Sequence, residues 1–513
     1  MQSHLESEIQ FARQHNIGDV LRRSAVRFPD KIAIICGQTE WTYNTFDNAC
    51  NQLARHLLAS GISTGDKIAV IARNSHGFAA IRFAIARIGA VLVPINFMLN
   101  ANEVRYILNS SRSKMLALGP EFIDSGLEAI SKGTAIEITL GLPSEHQSSS
   151  VKTDLRFEGL LTGDATALEI HLDDRSLAQI VYTSGTEAMP KGAMLSHSAV
   201  LWQYTSCIID GEMTASDVIL HALPLYHCAQ LDVFLGPAIY LGMTSTITSD
   251  PSPDNILALL EKRGISSFFA PPSVWISLLR SPLFDKTNFH KLEKGYYGAS
   301  IMPVEILTEL QQRLPKLRLW NLYGQTEMAP VATVLKPEDQ FRKAGSAGIA
   351  AINVETRVVN DDMLDVKVGE VGEIVHRSPQ LLTGYFEDPE RTAEAFEGGW
   401  FHSGDLATID EEGHITIVDR KKDMINTGGE NVASREVEEC IYLMPEISEV
   451  AVIALPHPQW IEAVTAIVTL KEGQNTTEEA VIKHCRGHLA GYKTPKRVIF
   501  QHSLPKNPSG KLL

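Results

Sequence analysis

Alternation of short apolar segments with helical patterns is the feature that most constrains the fold of this 513-residue chain. Residues 67–71 predict a strand, residues 77–88 a helix and residues 90–94 the next strand. Parallel strands need a crossover between them, so this order predicts βαβ units and a mostly parallel sheet. Similar strands are predicted at 178–182, 218–223 and 267–270.

The pattern of predicted secondary structure changes after about residue 350, where shorter strands alternate with turns that contain Gly and Asp. A separate α+β segment begins near Asp419, and it is expected to carry two helices and two strands. The strands of the first part are predicted at 354–360, 372–376 and 414–418. The segment after Asp419 is predicted to contain a helix at 436–442, strands at 449–455 and 463–470, and a helix at 478–489.

Charge and composition exclude some classes of function. The net charge of −15 disfavours a general nucleic-acid binder, which needs a basic surface. No apolar run reaches the length of a membrane-spanning helix, and the first ten residues do not resemble a secretory signal. The six cysteines are scattered without a CxxC pair, so we expect free thiols and a cytoplasmic protein. Dimerisation and peripheral membrane contact stay open.

The segment from Tyr182 to Gly192 is the strongest local motif, with Thr183, Ser184, Gly185, Thr186 and Lys191. It follows an apolar strand. Hydroxyls, backbone N–H groups and one lysine suit a polyphosphate. It is not a Walker A loop, because Pro190 and Gly192 replace the second glycine and the final Ser/Thr. A plain surface turn is the alternative interpretation.

Two further motifs suit a nucleotide. Residues 321–327 (Asn-Leu-Tyr-Gly-Gln-Thr-Glu) place an aromatic ring and a carboxylate after an apolar strand, for stacking on a base and for holding Mg²⁺. A capped helix N-terminus is the alternative for this segment. Residues 399–405 end in Asp405, which suits ribose hydroxyls, and a hairpin turn is the alternative.

Two charged segments complete the set. The first is the charged segment 419–425, which is followed by Thr427-Gly428-Gly429-Glu430-Asn431. It lies where the pattern of predicted strands and helices changes, which indicates a hinge or a solvated linker. Residues 504–511 end in Lys511, and a lone lysine near a terminus has little meaning by itself.

Taken together and in this order, these five blocks resemble the adenylate-forming superfamily, which includes acyl-CoA synthetases, amino-acid-adenylating domains and beetle luciferases. The resemblance extends from Leu21 to Lys511. It implies an α/β fold with a large N-terminal domain, residues 1–419, of mixed and parallel βαβ sheets plus a β-rich subdomain. It also implies a small mobile α+β C-terminal domain, residues 420–513, with its hinge at Lys422.

The same resemblance implies roles for individual residues. Thr326 would touch the α-phosphate, Glu327 would hold Mg²⁺, and Lys511 would serve the adenylation step. Tyr323 with Gly298-Ala299-Ser300 would line the adenine, and Asp405 would bind the ribose with help from Arg420. The other residues assigned to the nucleotide and CoA sites are Thr183, Ser184, Gly185, Thr186, Lys191, Asn321, Gly324, Lys422, Gly428, Gly429 and Glu430.

The implied reaction is an ATP-dependent acid:CoA ligation that uses ATP, Mg²⁺ and coenzyme A. The carboxylic acid attacks ATP to give acyl-AMP and pyrophosphate, and the CoA thiol then displaces AMP. Two anions meet in the first step, so Lys511 would bridge them. The C-terminal domain would then rotate about Lys422 and bring Gly428-Gly429-Glu430 to the site, where glycines leave room for pantetheine.

The class of acid is less well defined by the sequence motifs. Residues 223–227 (Leu-Pro-Leu-Tyr-His) resemble the family segment that places an aromatic ring or a histidine beside the acyl group. In this chain the histidine is His227. Apolar segments at 228–239 and 268–279 suggest a medium or long fatty acid, although plain core is the alternative for most of their residues. An aryl or branched acid, or a carrier-protein acceptor, also remains open. Glu187-Ala188 departs from the usual Thr-Gly, so a catalytically silent relative is a third hypothesis.

Overall fold

The computed structural model describes residues 8–183, 190–300, 302–421, 423–427, 430–458, 460–506 and 512. Several predicted site residues lie outside this part of the chain. They are Ser184, Gly185, Thr186, Lys422, Gly428, Gly429 and Lys511.

The strands form where apolar and β-branched residues are buried on a pleated surface. In chain order they are β1 (Ile32–Cys36), β2 (Thr39–Thr42), β3 (Lys67–Ile71), β4 (Val91–Pro94), β5 (Met115–Leu118), β6 (Ile138–Gly141), β7 (Leu155–Arg156), β8 (Leu177–Thr183), β9 (Lys191–Ser196), β10 (Val218–His221), β11 (Thr244–Ile247), β12 (Ser267–Phe269), β13 (Lys294–Gly298), β14 (Arg318–Gly324), β15 (Val331–Leu335), β16 (Ile349–Ala350), β17 (Glu355–Val359), β18 (Gly372–Arg377), β19 (Gly384–Tyr385), β20 (Phe401–Ile409), β21 (Ile415–Arg420), β22 (Ile425–Thr427), β23 (Glu430–Val432), β24 (Ile447–His457), β25 (Ile461–Leu470) and β26 (Arg497–Phe500).

The helices begin at polar caps in several places. Asn16 and Asn100 each form a reciprocal capping box with the acidic residue three positions on. The α-helices are α1 (Ile17–Arg27), α2 (Tyr43–Ala59), α3 (His76–Arg87), α4 (Ala101–Ser111), α5 (Ile123–Ile130), α6 (Phe157–Leu160), α7 (His197–Asp210), α8 (Cys228–Gln230), α9 (Gly236–Leu241), α10 (Pro253–Lys262), α11 (Pro272–Arg280), α12 (Val304–Arg313), α13 (Pro389–Ala395), α14 (Ser434–Tyr442) and α15 (Glu478–His488). A π-helical turn, Leu231–Leu235, joins α8 to α9.

Two large sheets dominate the N-terminal part. One has the order β19-β9-β8-β4-β3-β5-β6-β7, and the other the order β16-β15-β14-β13-β12-β10-β11-β1-β2. Most pairs, such as β3 with β4 and β13 with β14, are parallel, whereas β8 with β9 and β14 with β15 are antiparallel. The prediction of an α/β fold with mixed and parallel βαβ sheets is therefore confirmed.

The remaining strands form two smaller sheets. The β-rich part is the antiparallel sheet β17-β18-β20-β21, which ends at Arg420. The last sheet has the order β23-β22-β25-β24 with β26 against β25, and α14 and α15 contribute to the same small core. This core runs from Ile425 to Val498 and confirms a separate α+β unit at the C-terminal end. The boundary at residue 419 stays a prediction.

The largest buried core joins both N-terminal sheets and the helices between them. Helix α3 is buried along most of its length between its neighbours, which explains its apolar sequence. All six cysteines are buried and unpaired, as the scattered spacing predicted. Among the described helices, none is both long and apolar enough to cross a bilayer.

Candidate active site

A cavity of 1830 Å³ opens where the two large sheets, the β-rich sheet and the C-terminal segment meet. Strands β13 and β14 are parallel neighbours with Tyr297 opposite Asn321, so their carboxyl ends open at one edge. This edge carries Gly298, Ala299 and Ser300 on one strand end and Tyr323 and Gly324 on the other, and all five line the cavity. A Cβ on Gly298 would lie 2.3 Å from the Leu322 carbonyl oxygen, so the close approach of the strands requires glycine there.

A cluster of Lys191, Glu327 and Tyr385 forms one wall of the cavity. The Tyr385 hydroxyl donates to Glu327 Oε1 at 2.9 Å, and Lys191 Nζ donates to the Tyr385 oxygen at 2.8 Å. Lys191 Nζ also lies 3.6 Å from Glu327 Oε1. Burial, followed by the adjacent Glu327 carboxylate, raises the pKa of Tyr385 far above its ordinary value, which keeps this hydroxyl a donor. The cluster combines a cation with a carboxylate, as a metal-nucleotide site needs.

Tyr385 was not identified from the sequence. It lies on the short strand β19, which pairs with β9 so that Tyr385 is opposite Ala193. This antiparallel pairing brings Tyr385 next to Lys191, which lies 194 positions earlier. An aromatic residue beside Gly384 is a weak signal by itself, because only the pairing of distant strands gives it a place in the site.

A second cluster joins the β14 end to the β-rich sheet. The Tyr323 hydroxyl donates to Asp405 Oδ2 at 2.6 Å, and Arg420 Nε lies 3.7 Å from Asp405 Oδ1. Asp405 is opposite Arg420 in the β20–β21 ladder, which fixes their separation. Burial, and then the Asp405 carboxylate, raises the pKa of Tyr323. The arrangement presents a carboxylate and a guanidinium to the cavity.

His227 and Thr326 lie together in another part of the cavity wall, with Cys228 between them. The Thr326 hydroxyl is 3.5 Å from Cys228 Sγ. His227 caps the short helix α8, because its Nδ1 accepts from the Ala229 N–H at 3.1 Å. The neutral His227 ring therefore carries its proton on Nε2. Burial raises the pKa of the Cys228 thiol to about 12, so it is a neutral lining group.

An apolar wall extends the cavity beyond His227. Phe234 and Phe269 stack with their ring centroids 4.6 Å apart, and both rings line the cavity. Phe234 also packs against Tyr296, whose ring stacks on Trp320. The stretches 228–239 and 268–279 thus divide between cavity lining and plain core, since most of their residues are buried.

The remaining predicted residues differ in what they contact. Asn321 lines the cavity, but its Nδ2 donates to the Ser346 carbonyl at 2.9 Å, which ties β14 to the next loop. The buried Thr183 hydroxyl has no hydrogen-bond partner within the described ranges, and Thr183 is one of the residues that line the cavity. Glu430 is exposed on β23 and is not one of the described lining residues.

The segment that the sequence predicts to bind a polyphosphate lies between two antiparallel strands. Thr183 ends β8 and Lys191 begins β9, and these two residues pair across the ladder. Both ends of the loop are therefore anchored at one edge of the sheet, beside Tyr385 and Glu327. This hairpin anchoring differs from a Walker A loop, which leads from a strand into a helix.

Comparison with known proteins agrees with this architecture. The model of the AMP-binding enzyme family matches residues 21–386, and the model of the AMP-binding enzyme C-terminal domain matches residues 436–511. Together the matches cover most of the chain, including residues 182–192, the β14 end and the C-terminal segment.

Similar proteins include several ligases. The chain is 32% identical over 501 residues to feruloyl-CoA synthase from Amycolatopsis sp, covering 98% of each chain. It is 33% identical to a long-chain-fatty-acid–CoA ligase from Mycobacterium tuberculosis, with 97% of each covered. The crystal structure of ATP-bound MatB from Rhodopseudomonas palustris superposes with a TM-score of 0.87 at 29% identity, with 97% of each chain covered. The chain thus belongs to the AMP-binding enzyme family, within the adenylate-forming superfamily that its five sequence blocks resemble.

Proposed function

We propose that this enzyme is an ATP-dependent acid:CoA ligase that acts through an acyl-AMP intermediate. The observation that carries the proposal is the single cavity lined by the Lys191–Glu327–Tyr385 cluster, the Tyr323–Asp405 pair and an apolar wall. These three parts match the three parts of an acyl-adenylate reaction: polyphosphate, nucleoside and acyl chain. The names of the similar ligases support the same chemistry.

Each cluster has a proposed role in the first half-reaction. Asp405 would accept hydrogen bonds from the ribose hydroxyls with Arg420 beside it, and the Tyr323 ring with residues 298–300 would border the adenine. Lys191 and Thr183, together with Ser184, Gly185 and Thr186, would bind the polyphosphate, with Asn321 and Gly324 shaping the pocket. Thr326 would contact the α-phosphate near His227.

Glu327 is the proposed ligand for Mg²⁺. Its Oε1 accepts from Tyr385 and lies near Lys191, and a buried carboxylate on a cavity wall suits a hard cation. When bound, Mg²⁺ would offset the negative charge of the polyphosphate. Tyr385 would orient the carboxylate, and Lys191 would supply a second positive charge at the same wall.

The second half-reaction is proposed to use the C-terminal domain, residues 420–513. Its rotation about Lys422 would withdraw Lys511 and bring Gly428, Gly429 and Glu430 toward the acyl-AMP. The exposed position of Glu430, away from the described cavity lining, fits a residue that serves another arrangement of the two domains. Free CoA in the cytoplasm is the proposed acceptor, and a carrier protein is the alternative.

A medium- or long-chain fatty acid is the first proposed substrate, because the cavity continues along apolar side chains beyond His227. An aryl acid is the second candidate. The stacked Phe234 and Phe269 rings favour it, since aromatic pairs present faces and edges to a further ring, and feruloyl-CoA synthase is among the similar proteins.

The test is pyrophosphate release with MgATP against a panel of fatty and aryl acids, followed by CoA addition and measurement of AMP and thioester. Acid-dependent release should fall roughly 10² to 10⁴-fold in Lys511→Ala, because a bridging charge is removed from the transition state. Lys471→Ala, in the turn just after β25, is the matched control. Absence of release with every acid would contradict the proposal and support a silent relative, and acyl-AMP that is not consumed by CoA would indicate a carrier-protein acceptor.

A further inference from the structure

Three metal-binding side chains that belong to none of the clusters described above meet on the helical side of the C-terminal unit, and two of them, Cys440 and His488, line the far end of the same cavity. Cys440 lies on α14, and His484 and His488 lie one turn apart on α15. One ligand atom from each of the three residues lies within 4.8 Å of the other two. Cys440 is 5% exposed, whereas His488 is exposed to solvent, so the cluster has a buried thiol and an open side.

Both imidazoles are held by backbone carbonyls. His484 Nε2 donates to the Cys440 carbonyl at 3.0 Å, and His488 Nδ1 donates to the His484 carbonyl at 2.8 Å. Each ring therefore has its proton on the bonded nitrogen and a lone pair on the other, Nδ1 of His484 and Nε2 of His488. Metal-binding histidines are typically oriented in this way, by donating the second N–H to a carbonyl or carboxylate.

We propose that Cys440, His484 and His488 form a binding site for a divalent transition metal of the zinc class. A thiolate with two imidazoles suits Zn²⁺ or Co²⁺ and disfavours Mg²⁺ and Ca²⁺, which prefer oxygen ligands. On binding, the Cys440 thiol releases its proton to solvent and the sulfur bonds to the metal. The fourth position is left to water on the exposed side.

The geometry needs only a small adjustment. Bond lengths of about 2.0 and 2.3 Å around a tetrahedral metal separate neighbouring ligand atoms by about 3.3–3.6 Å. The three ligand atoms must therefore approach one another by about 1.2 to 1.5 Å at most from their present spacing of up to 4.8 Å. Small rotations of the three side chains supply this movement, and the exposed His488 has the most room to move.

The position of the site indicates what the metal does. It links α14 to α15, which pack on the same sheet, and it lies at the C-terminal end of α15, where the helix dipole favours a cation. Cys440 and His488 also border the cleft between the C-terminal unit and the rest of the chain. Occupancy therefore stabilises the C-terminal unit beside this cleft. This inference does not depend on the proposed ligase activity.

The test uses untagged full-length protein, with Zn²⁺ binding measured by calorimetry and Co²⁺ binding by absorption spectroscopy. We expect one Zn²⁺ per chain, a rise in melting temperature, and a near-ultraviolet thiolate-to-cobalt band with Co²⁺. His488→Ala and His484→Ala should each weaken Zn²⁺ binding at least tenfold, and Cys440→Ser should abolish the cobalt band.

His290→Ala, which removes an exposed histidine elsewhere, is the matched control and should leave Zn²⁺ binding unchanged. The variant His488→Ala keeps the test decisive if Cys440→Ser fails to fold, because His488 is on the surface. Zn²⁺ binding that persists in His488→Ala, a cobalt complex without the thiolate band, or no stoichiometric binding by the wild type would each overturn the proposal.

Discussion

At the scale of single residues, two carboxylates in the cavity are oriented in the same way. Glu327 accepts from the Tyr385 hydroxyl, and Asp405 accepts from the Tyr323 hydroxyl. Burial raises the pKa of both tyrosines, so both remain protonated donors across the physiological pH range. Rigid donors of this kind hold the carboxylates in place before any ligand arrives, which reduces the ordering needed on binding.

Tyr385→Phe removes one of these donors while keeping the ring that packs beside Lys191. Because Glu327 loses a hydrogen bond and Lys191 loses its acceptor, we expect kcat/KM for MgATP to fall about 10-fold, the equivalent of roughly 1.4 kcal/mol. The measurement is steady-state pyrophosphate release at varied MgATP and Mg²⁺ concentrations.

Tyr492→Phe is the control for this change, since Tyr492 is exposed on the C-terminal unit. It should leave both the rate and the dependence on Mg²⁺ unaltered. Unchanged kinetics in Tyr385→Phe would contradict the orienting role, and an equal loss in both variants would point to a general effect of tyrosine replacement.

At the scale of elements, the turn after β14 depends on a very close approach between backbones. A Cβ on Gly324 would lie 1.9 Å from the Pro330 carbonyl oxygen and 2.9 Å from the Ala332 nitrogen. The Gln325 N–H donates to the same Pro330 carbonyl at 2.9 Å, which closes the turn that contains Thr326 and Glu327. The position of Glu327 therefore follows from a glycine three residues before it.

Gly324→Ala should destabilise the fold by about 1–3 kcal/mol, because backbone atoms at such distances must move apart. Thermal melting with and without ATP would measure the loss. The matched variant Gly159→Ala lies in the short helix α6, where an added Cβ meets no atom within 4 Å, and it should leave the melting temperature nearly unchanged. Equal melting temperatures for the two variants would contradict this prediction, because they would show that the turn accommodates a Cβ without loss of stability.

Several elements could be predicted from periodicity, because strands buried on both faces have uninterrupted apolar sequences. The predicted strand 67–71 has the observed bounds of β3, and the helix predicted at 77–88 is observed at His76–Arg87. Sequence could not show which strands are neighbours. The pairing of β19 with β9, which brings Tyr385 to Lys191, depends on the tertiary packing of segments almost 200 residues apart.

The site could be predicted only in part for the same reason. Motif chemistry identified Lys191, Glu327, Tyr323 and Asp405, and the structure brings all four to one cavity. Motif chemistry could not reveal that the Tyr323 hydroxyl donates to Asp405, nor that Asn321 donates to the Ser346 carbonyl. Such contacts depend on rotamers and on the turn that follows each strand, which local sequence leaves undetermined.

At the scale of the whole molecule, the C-terminal unit has its own core, and one of its carboxyl groups lies where burial disfavours the charged form. Glu438 of α14 is half-buried, and its Oε1 accepts from the Val452 N–H at 2.8 Å. Burial raises its pKa to about 7. The folded chain therefore binds this proton more tightly than the unfolded chain, so stability falls as pH rises from about 4.5 to about 7.

Glu438→Gln should remove that pH dependence, because the amide stays neutral and its oxygen can still accept from Val452. At pH 8 we expect the variant to be more stable than the wild type by about 3 kcal/mol, with a difference of less than about 1 kcal/mol at pH 5. Melting of the C-terminal unit across pH 5–8 is the measurement. Glu472→Gln, at an exposed loop, is the control, and parallel profiles for Glu438→Gln and the wild type would refute the assignment.

The connection between the two parts of the chain includes a contact that crosses residue 422. Asp419, near the end of β21, accepts from the backbone N–H and the hydroxyl of Ser434 at 2.7 and 2.9 Å, and so caps the first turn of α14. A rotation about Lys422, as proposed, would pull this cap from its helix once in every catalytic cycle. A catalytic cycle that is limited by this domain motion should slow as solvent viscosity rises, because the rotating unit must displace solvent.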